Sequence, residues 1–556
     1  MKRRPLLHVD RDALSPWLAV ALGGAAIGLL GALIFRSLYV LWRIVEGGFS
    51  RSPVAAVTFP LLGLLASYLL VDTFAVNKSL GSATGIVLAE YHTRGASSLR
   101  DSLVRAFAGI ATVGFGGAAG PEGPGILIGP GVMQHLANFL GIRTRRERLT
   151  LAGAAAGLAG VLKTPATAIL YALEVPFTRG IEKEPFLEVV LAATTSYAVS
   201  VALTGPLPLI SVRMQPVPSP AALVWSAILG LVVGAYSFGF SKLYDLAGRA
   251  SSATRLRGGF ALTVLLGGAS VGFLGLLYRP SIGPGLDVAE DVALGALAAQ
   301  SLALLLILRS FTVTATLNFG GVGGLLTPVA TNGAILGALY AKLLGLEPVS
   351  FYAIVGAAAA LAGTYKLLLA PAAMAVEISG VGFMIPALLA SAVSYAVSLP
   401  ATLFKFQLTG SAREEAFLRR IYSRLRGSQV LSRMRVSDIM GRAIHPLRLE
   451  DPLRKALDLM TSEGVDRLPV VDESGRLVGQ LSIDDVLWLR GSRLDAPVSS
   501  APLTSASTIS SDAPLEEAIE RMLASGASSL YVVAPDGTLM GELEGMAVVR
   551  ALMDLV

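Results

Sequence analysis

The chain consists largely of apolar segments that are long enough, and numerous enough, to require a bilayer. Hydrophobic residues make up 53% of its 556 residues and charged residues only 15%, and its mean hydropathy is +0.65. About 20 apolar residues cross a bilayer as a helix, and in lipid every backbone polar group must be satisfied within the protein. The composition therefore predicts a mostly α-helical polytopic membrane protein. The apolar segments lie at residues 15–42, 53–76, 99–118, 124–140, 149–175, 185–204, 219–246, 259–278, 288–317, 323–346, 350–376 and 382–404.

Several of these segments are short and interrupted by glycine and proline. Residues 120–131 read GPEGPGILIGPG, with the lone carboxylate of Glu122 between glycines. Segments of this kind predict helices that end inside the membrane, and in transporters such ends form the binding site. A carboxylate at membrane depth marks an ion or proton pathway. The alternative is that Glu122 only complements a helix dipole at the membrane surface.

An internal duplication favours the pathway interpretation. Residues 153–174 and 356–377 align without a gap at an offset of 203, with 10 of 22 positions identical. The identical positions include two glycines, a lysine and a glutamate in each copy. The same offset places Gly120 on Gly323 and sets the first glycine-rich stretch against residues 320–333. Two halves would then each bring one glycine-rich turn to a site at their interface.

Positive charge is concentrated in the apolar part of the chain. Residues 411–556 carry 17 Lys+Arg against 21 Asp+Glu, whereas residues 1–410 carry 28 against 18. Basic residues beside apolar spans predict positive-inside topology rather than nucleic-acid binding, so we expect a cell-membrane protein with both termini in the cytoplasm. Residues 16–42 are too long for a signal-peptide core and predict a retained first span. The basic residues used for this orientation are Lys2, Arg3, Arg4, Arg143, Arg145, Arg146 and Arg148.

Four short motifs follow one another along the chain. They read GSATG at residues 81–85, GPEGP at 120–124, GGLLTP at 323–328 and TLFKFQL at 402–408. Each is similar to a motif of the CLC family of chloride channels and chloride/proton antiporters, where the corresponding sequences are GSGIP, GREGP, GGIFAP and SIYDSQL. Together, on this hydrophobic background, they make the chain resemble that family from about residue 15 to its C-terminus. The resemblance implies the CLC fold, in which two inverted repeats contain broken helices.

The resemblance also implies roles for individual residues. Ser82 matches the serine whose hydroxyl contacts the central anion, and Glu122 matches the gating glutamate. Phe404 stands in the position of the central tyrosine. The remaining anion-binding positions, which would act through backbone amides, are Gly123, Leu325 and Leu326.

An anion site of this type depends on partial rather than full positive charge. A fixed cation would hold a dehydrated halide too tightly to let it leave, whereas a helix N-terminus supplies about half an elementary charge and unsatisfied N–H groups. The Glu122 carboxylate could occupy the same amides as a tethered anion, and its protonation or displacement would open the path. The resemblance further implies chloride and the lipid bilayer as partners, a homodimer, no enzymatic activity and no required cofactor. The chain has no cysteine, which excludes disulfides and cysteine metal sites, and no metal site is predicted.

Departures from the family pattern bear on mechanism. The antiporters have a second glutamate that passes protons on the cytoplasmic side, and Val175, which cannot carry a proton, occupies that position here. Phe404 lacks the hydroxyl that would give the anion a second side-chain donor. Lys163 replaces an asparagine, and two interpretations stay open: it restores positive potential near the pore, or it extends to the inner membrane interface. Glu174 and Glu377, at matching repeat positions, are interpreted as structural acids at helix ends.

Beyond residue 410 the chain changes character. Residues 411–435 predict a linker with a basic amphipathic helix, and residues 436–492 and 497–556 each show a strand, turn, strand and helix pattern. The repeated pattern resembles a tandem CBS pair, a small α+β cytoplasmic unit that commonly binds adenine nucleotides through a Ser/Thr-x-x-Asp motif.

Only one of the two CBS-like units carries this motif. Ser482 and Asp485 match it in the first unit, whereas Glu544 and Ala547 occupy the same places in the second. Adenine nucleotide binding and a purely structural or dimer-contact role therefore both stay open.

Four functions remain after the sequence is considered alone. Transmembrane chloride transport gated by Glu122 is favoured, and the loss of a proton-accepting side chain at Val175 favours passive or weakly proton-coupled conduction. The alternatives are chloride/proton antiport by a non-standard inner proton route, fluoride transport, and a non-conducting anion or nucleotide sensor. The Gly/Pro helix breaks argue against the sensor, because broken helices in a membrane are costly unless they line a path.

Overall fold

The computed structural model describes residues 11–553 apart from short gaps, and the chain divides into two compact units, residues 1–409 and residues 410–556. The gaps are residues 94–96, 143–144, 207, 209–218, 409–417, 419–421, 423–430, 432–433, 442–444, 464, 466, 483–485, 487–493 and 526. Several predicted features therefore lie outside the described residues. These are Lys2, Arg3, Arg4, Arg143, Asp485 and nearly all of the linker helix at residues 412–427.

The first unit is built from α-helices and two very short strands, which confirms the predicted mostly α-helical fold. Six helices of the described residues are long and apolar enough to cross a membrane, and others are too short to do so alone. Its elements are α1 (Arg11–Arg51), α2 (Pro53–Phe74), β1 (Gly81–Ser82), α3 (Ala83–Thr93), α4 (Leu99–Gly114), α5 (Glu122–Phe139), α6 (Arg146–Leu162), α7 (Pro165–Glu174), α8 (Phe186–Thr204), α9 (Pro220–Leu277, broken at Gly259), α10 (Leu286–Ala293), α11 (Ala299–Asn318), β2 (Val322–Gly323), α12 (Leu326–Leu344), α13 (Val349–Tyr365), α14 (Leu369–Ser379) and α15 (Met384–Ser398).

Two of the predicted apolar segments are divided by the repeated lysines. Residues 149–175 form α6 and α7 with the break at Lys163, and residues 350–376 form α13 and α14 with the break at Lys366. Both lysines adopt the left-handed backbone conformation, with φ of 58° and 60°. This conformation ends a helix. The duplicated AAAxLAGxxK sequence thus ends its helix at the same point in each half.

Glycines allow the duplicated helices to approach their neighbours. A Cβ at Gly125 or Gly129 of α5 would overlap the backbone of α6 at Gly157 or Gly153, and Gly337 brings α12 equally close to α13. Helix pairs in membranes rely on small residues, since van der Waals contact between closely approaching backbones replaces the hydrophobic driving force there. The glycine- and alanine-rich repeat is therefore a packing face in each half.

Contacts between the two halves are reciprocal. The Ala118 N–H donates to Thr316 Oγ1 at 3.0 Å, and the Val322 N–H donates to Thr112 Oγ1 at 3.0 Å. A two-fold axis produces this exchange of partners. The halves are thus related as the inverted repeats that the resemblance implied.

The register of the repeat shifts by one residue in the glycine-rich turns. Gly120 and Gly324 exchange backbone hydrogen bonds of 2.8 and 3.1 Å, and α5 and α12 begin 204 residues apart. The alignment of Gly120 with Gly323 is therefore wrong. The cause is a loop difference: one more residue separates Gly141 from α6 than separates Gly345 from α13, which restores the offset of 203 in the later helices.

Glu174 and Glu377 each accept hydrogen bonds from the first backbone N–H groups of a helix in the opposite half. Glu174 accepts hydrogen bonds of 2.8 to 3.3 Å from the backbone N–H groups of residues 368–370, where α14 begins. Glu377 accepts hydrogen bonds of 2.6 to 2.9 Å at residues 166–167, in the first turn of α7. Because these N–H groups have no intrahelical partner, both acids have the structural role predicted for them.

The second unit repeats one small strand and helix arrangement, which confirms the predicted α+β class. In the first copy β3 is parallel to β4 and β4 is antiparallel to β5, and the second copy has the same order. The copies join at their hairpins, where the Leu477 N–H donates to the Gly537 carbonyl and the Leu539 N–H to the Gly475 carbonyl, both at 3.1 Å. The elements are β3 (Leu447–Arg448), α16 (Leu453–Glu463), β4 (Arg467–Val471), β5 (Leu477–Ser482), β6 (Thr508–Ser510), α17 (Leu515–Ser525), β7 (Ser529–Val533), β8 (Leu539–Glu544) and α18 (Gly545–Met553).

We expect the variants Glu174→Gln and Glu377→Gln to lower the thermal stability of the purified protein. Each substitution removes the charge from a carboxylate that accepts hydrogen bonds from at least two backbone N–H groups at a helix start, at a cost of about 1–3 kcal/mol. The matched control is Glu290→Gln, at an exposed position of α10. Thermal unfolding in detergent measures the effect, and melting temperatures equal to that of the control would contradict the helix-end role.

Candidate anion site

A short parallel strand pair holds together two glycine-rich turns that are distant in sequence. In the pairing of β1 with β2, Gly81 lies opposite Val322 and Ser82 lies opposite Gly323. The Gly81 N–H also donates to the Gly321 carbonyl at 3.0 Å. Both α3 and α12 begin within three residues of this pair. Two helix N-termini, each with unsatisfied N–H groups, therefore lie at the junction of the GSATG and GGLLTP motifs.

Glu122 begins α5, and its carboxylate reaches the start of α12. The residue is completely buried. Oε1 accepts a hydrogen bond of 3.1 Å from the Thr327 N–H, and Oε2 accepts one of 2.7 Å from the Thr327 hydroxyl. The first N–H groups of α12, which belong to Leu326 and the residues beside it, have no intrahelical partner, and the helix N-terminus favours negative charge. The carboxylate thus occupies a place that suits a small free anion.

Because nearby glycines have no side chain, there is space for the Glu122 carboxylate. A Cβ at Gly120 or at Gly324 would overlap the carboxylate oxygens of Glu122, and a Cβ at Gly123 would overlap the Gly324 backbone nitrogen. The glycines of GPEGP and GGLLTP therefore form the walls of one pocket, which Glu122 fills.

Ser82 and Phe404 lie together beside the first turn of α3. A Cβ at Gly85 would contact Phe404 Cδ1 at 3.7 Å and Ser82 Cβ at 3.9 Å. Ser82 is 7% exposed and Phe404 is 3% exposed. The Ser82 hydroxyl has no hydrogen-bond partner among the described residues. A buried hydroxyl left unpaired is costly, so this group is available to donate to a ligand.

Two buried tyrosines that the sequence motifs did not indicate lie near this region, one against Phe404 and the other against the first. The ring of Tyr365 lies 4.8 Å from that of Phe404, edge to face, and the ring of Tyr171 lies 6.3 Å from that of Tyr365. The Tyr171 hydroxyl shares a hydrogen bond of 2.7 Å with Thr84 Oγ1. A signal was present: Tyr365 aligns with Leu162 in the duplication, so a polar group is added in one half only.

Val175 lies in an enclosed, apolar position. It follows α7 and is 3% exposed. Its carbonyl accepts a hydrogen bond of 3.1 Å from Gln407 Nε2, which also donates to the Tyr365 carbonyl at 2.6 Å. Gln407 thereby fixes the segment that carries Phe404 against the ends of α7 and α13. The side chain at residue 175 offers no proton acceptor to this region.

The side chain of Lys163 is hydrogen-bonded to the C-terminal end of a helix inside the protein. It is 8% exposed, and its Nζ donates to the Thr204 carbonyl at 3.2 Å, at the last residue of α8. In the other half, Lys366 Nζ donates to the carbonyl of Ser398, the last residue of α15, at 2.6 Å. A cation is stabilising at a helix C-terminus. Neither sequence interpretation of Lys163 anticipated this shared role.

An apolar cavity of about 80 Å³ adjoins the pocket that holds Glu122. It is lined mainly by alanine, leucine and isoleucine, together with Thr164, Thr327 and Thr331. The hydroxyls of Thr164 and Thr331 have no hydrogen-bond partner within the described ranges. The cavity is large enough for water, and Thr327 connects it to the Glu122 carboxylate.

The structure describes only one of the two residues predicted to bind an adenine nucleotide in the unit that follows residue 409. Ser482 ends β5 and is half-buried, whereas Asp485 lies outside the described residues. In the second copy Glu544 ends β8 and Ala547 lies in α18. Among the residues that the structure describes, no group of three or more His, Cys, Asp or Glu side chains is arranged to hold a metal ion.

The sequence matches two family models. The model described as voltage gated chloride channel matches residues 62–399, which include the GSATG, GPEGP and GGLLTP motifs. The CBS domain model matches residues 436–490 and 498–554. The first match covers more than half of the chain and carries the family assignment.

Known proteins are similar to all or part of the chain at low sequence identity. The H(+)/Cl(-) exchange transporter ClcA of Citrobacter koseri is 26% identical over 359 residues, which are 61% of this chain and 74% of that protein. A eukaryotic CLC transporter structure aligns with a TM-score of 0.64 and 19% identity, covering 96% of this chain and 98% of its own. A CLC-type fluoride/proton antiporter aligns with a TM-score of 0.60 and 22% identity, covering 72% and 99%. The chain belongs to the voltage gated chloride channel family and carries a tandem CBS pair after its membrane unit.

Proposed function

We propose that the protein moves chloride across a membrane through a pathway gated by Glu122. The observation that carries this proposal is the buried carboxylate of Glu122 on the N–H and hydroxyl of Thr327, at the start of α12. The unpaired hydroxyl of Ser82 offers a further donor at the neighbouring turn. Partial positive charge of this kind binds an anion without trapping it.

The gate follows from competition between two anions for one set of donors. When ionised, the Glu122 carboxylate fills the pocket and excludes chloride. When protonated, it loses its attraction to the helix N-terminus, and chloride takes its place. Flux should therefore rise as the pH falls, and the variant Glu122→Gln, which removes the charge, should make flux largely independent of pH.

The conduction we propose is passive or weakly coupled to protons. Val175 provides no proton acceptor, and its carbonyl is already bonded to Gln407. A second route is possible in chemical terms, because the cavity beside Thr327 has the unpaired hydroxyls of Thr164 and Thr331. Water in that cavity could carry protons to Glu122, which is the basis of the antiporter alternative.

The proposal extends to assembly and location. The resemblance to the family supports a homodimer with one pathway in each subunit. The distribution of basic residues in residues 1–410 supports a cell-membrane location with both termini in the cytoplasm. Ser82 supports chloride over fluoride as the transported anion, although Phe404 lacks the hydroxyl expected of a chloride site.

Flux from liposomes tests the transport proposal, and the reversal potential tests its coupling. We expect purified protein to release chloride from loaded liposomes, with a reversal potential that follows the chloride gradient and is nearly unaffected by an opposed proton gradient. Protein-free liposomes are the control, and a fluoride-loaded set compares the anions. Absence of chloride release at every pH would refute transport, whereas uphill proton movement driven by chloride would establish the antiporter alternative.

We expect Gly324→Ala to open the gate. The three atoms nearest to the new methyl group would all belong to the carboxylate of Glu122, at 2.9 Å or less, so this flexible side chain must leave the pocket. Chloride flux should become largely independent of pH, as in Glu122→Gln. The double variant Glu122→Gln/Gly324→Ala should match Glu122→Gln alone, and a wild-type pH profile in Gly324→Ala would contradict the gate geometry.

We further propose that the CBS pair binds an adenine nucleotide at Ser482 and Asp485, without this nucleotide being required for transport. Millimolar ATP, ADP or AMP should then raise the unfolding temperature of the full-length protein, because a ligand that binds only the folded state stabilises it. Ser482→Ala should abolish the shift. Glu544→Ala, at the corresponding strand end of the second copy, is the matched control and should retain it. An unmoved melting curve in the wild-type protein would refute nucleotide binding.

A further inference from the structure

The hydroxyl of Tyr365 is a buried donor with no partner beside the proposed anion site. Tyr365 is completely buried at the last residue of α13. The nearby Thr84 hydroxyl is hydrogen-bonded to the Tyr171 hydroxyl, and the Tyr365 hydroxyl has no hydrogen-bond partner among the described residues. A phenol left unsatisfied in this way is costly, and in a native protein it calls for an explanation such as a ligand.

The position of Tyr365 connects it to Ser82. Its ring packs against Phe404 with centroids 4.8 Å apart, and Phe404 and Ser82 both lie against Gly85 in the first turn of α3. Ser82 also has an unpaired hydroxyl. Two buried O–H donors without acceptors thus belong to residues near Phe404, whose own ring can offer no hydrogen bond.

The backbone of Tyr365 is held rigidly in this place. Its carbonyl accepts a hydrogen bond of 2.6 Å from Gln407 Nε2, which also bonds the end of α7. The next residue, Lys366, is left-handed and bonded to the end of α15. Donors held in advance cost little to organise when the ligand binds, so the phenol is suited to ligation rather than to filling space.

We propose that Tyr365 is an anion ligand that supplies the hydroxyl missing from Phe404, acting with Ser82 on a small monovalent halide. The same hydroxyl function is provided from the end of α13 rather than from the segment at residues 402–408. This proposal rests on the proposed function, since it assigns a further ligand to the same pathway.

Chloride binding to the full-length protein tests the assignment. Titration calorimetry on Tyr365→Phe should show chloride affinity roughly 10-fold or more below wild type, as expected for a lost hydrogen bond to a charged group. Tyr352→Phe, the same substitution at a buried tyrosine of the same helix, is the control and should bind as wild type. The double variant Tyr365→Phe/Phe404→Tyr should regain affinity, because it returns one hydroxyl to the region.

The outcomes separate this proposal from the proposed function. If wild-type protein binds and transports chloride but Tyr365→Phe binds it equally well, the ligand role is overturned while chloride transport stands. If wild-type protein neither binds nor transports chloride, both proposals fail. A crystal soaked in bromide gives a direct measurement: an anomalous peak within hydrogen-bond distance of the Tyr365 and Ser82 hydroxyls supports the assignment, and a peak at Ser82 far from Tyr365 overturns it.

Discussion

Helices that begin inside a membrane expose N–H groups, and satisfying those groups is the constraint on which this structure depends. Among the described residues, three carboxylates do so from the opposite half: Glu122 at α12, Glu174 at α14 and Glu377 at α7. Glu174 and Glu377 form a symmetrical pair across the repeat. Glu122 lies in a pocket walled by glycines, beside the turn that contains the unpaired hydroxyl of Ser82, so a free anion could replace it. A carboxylate at a helix N-terminus therefore stabilises the fold at Glu174 and Glu377 and forms the proposed gate at Glu122.

The two lysines at the helix breaks do not contribute to the proposed anion site. Lys163 and Lys366 lie at the breaks of the duplicated helices, yet each donates to the carbonyl end of a following helix. Their Nζ groups satisfy carbonyls at the C-terminal ends of α8 and α15. The attraction for an anion is thus left to N–H and O–H groups, which suits conduction because a site that holds an ion weakly also releases it.

The parts of the site that could be predicted from the sequence are those that leave a short motif of neighbouring residues. The glycines of residues 120–124 and 323–328 identified the pocket, because close backbone approach demands glycine and leaves a motif in the sequence. The one-residue shift between Gly120 and Gly324 was missed, since an ungapped alignment cannot detect a loop that differs by one residue. Tyr365 was missed for a different reason: its importance lies in the absence of a hydrogen-bond partner, and that absence exists only in the packed protein.

The sequence by itself determined the membrane class, the duplication, the broken helices and the family, because hydropathy, small-residue patterns and glycine-rich motifs follow directly from local chemistry. Only the tertiary structure decided which donors each charge meets. It brought Glu122 to Thr327, more than 200 residues away, directed Lys163 to the end of α8, and placed Tyr365 against Phe404. The first of these pairings depends on the two-fold relation between the halves, and all three depend on distances that only the folded chain creates.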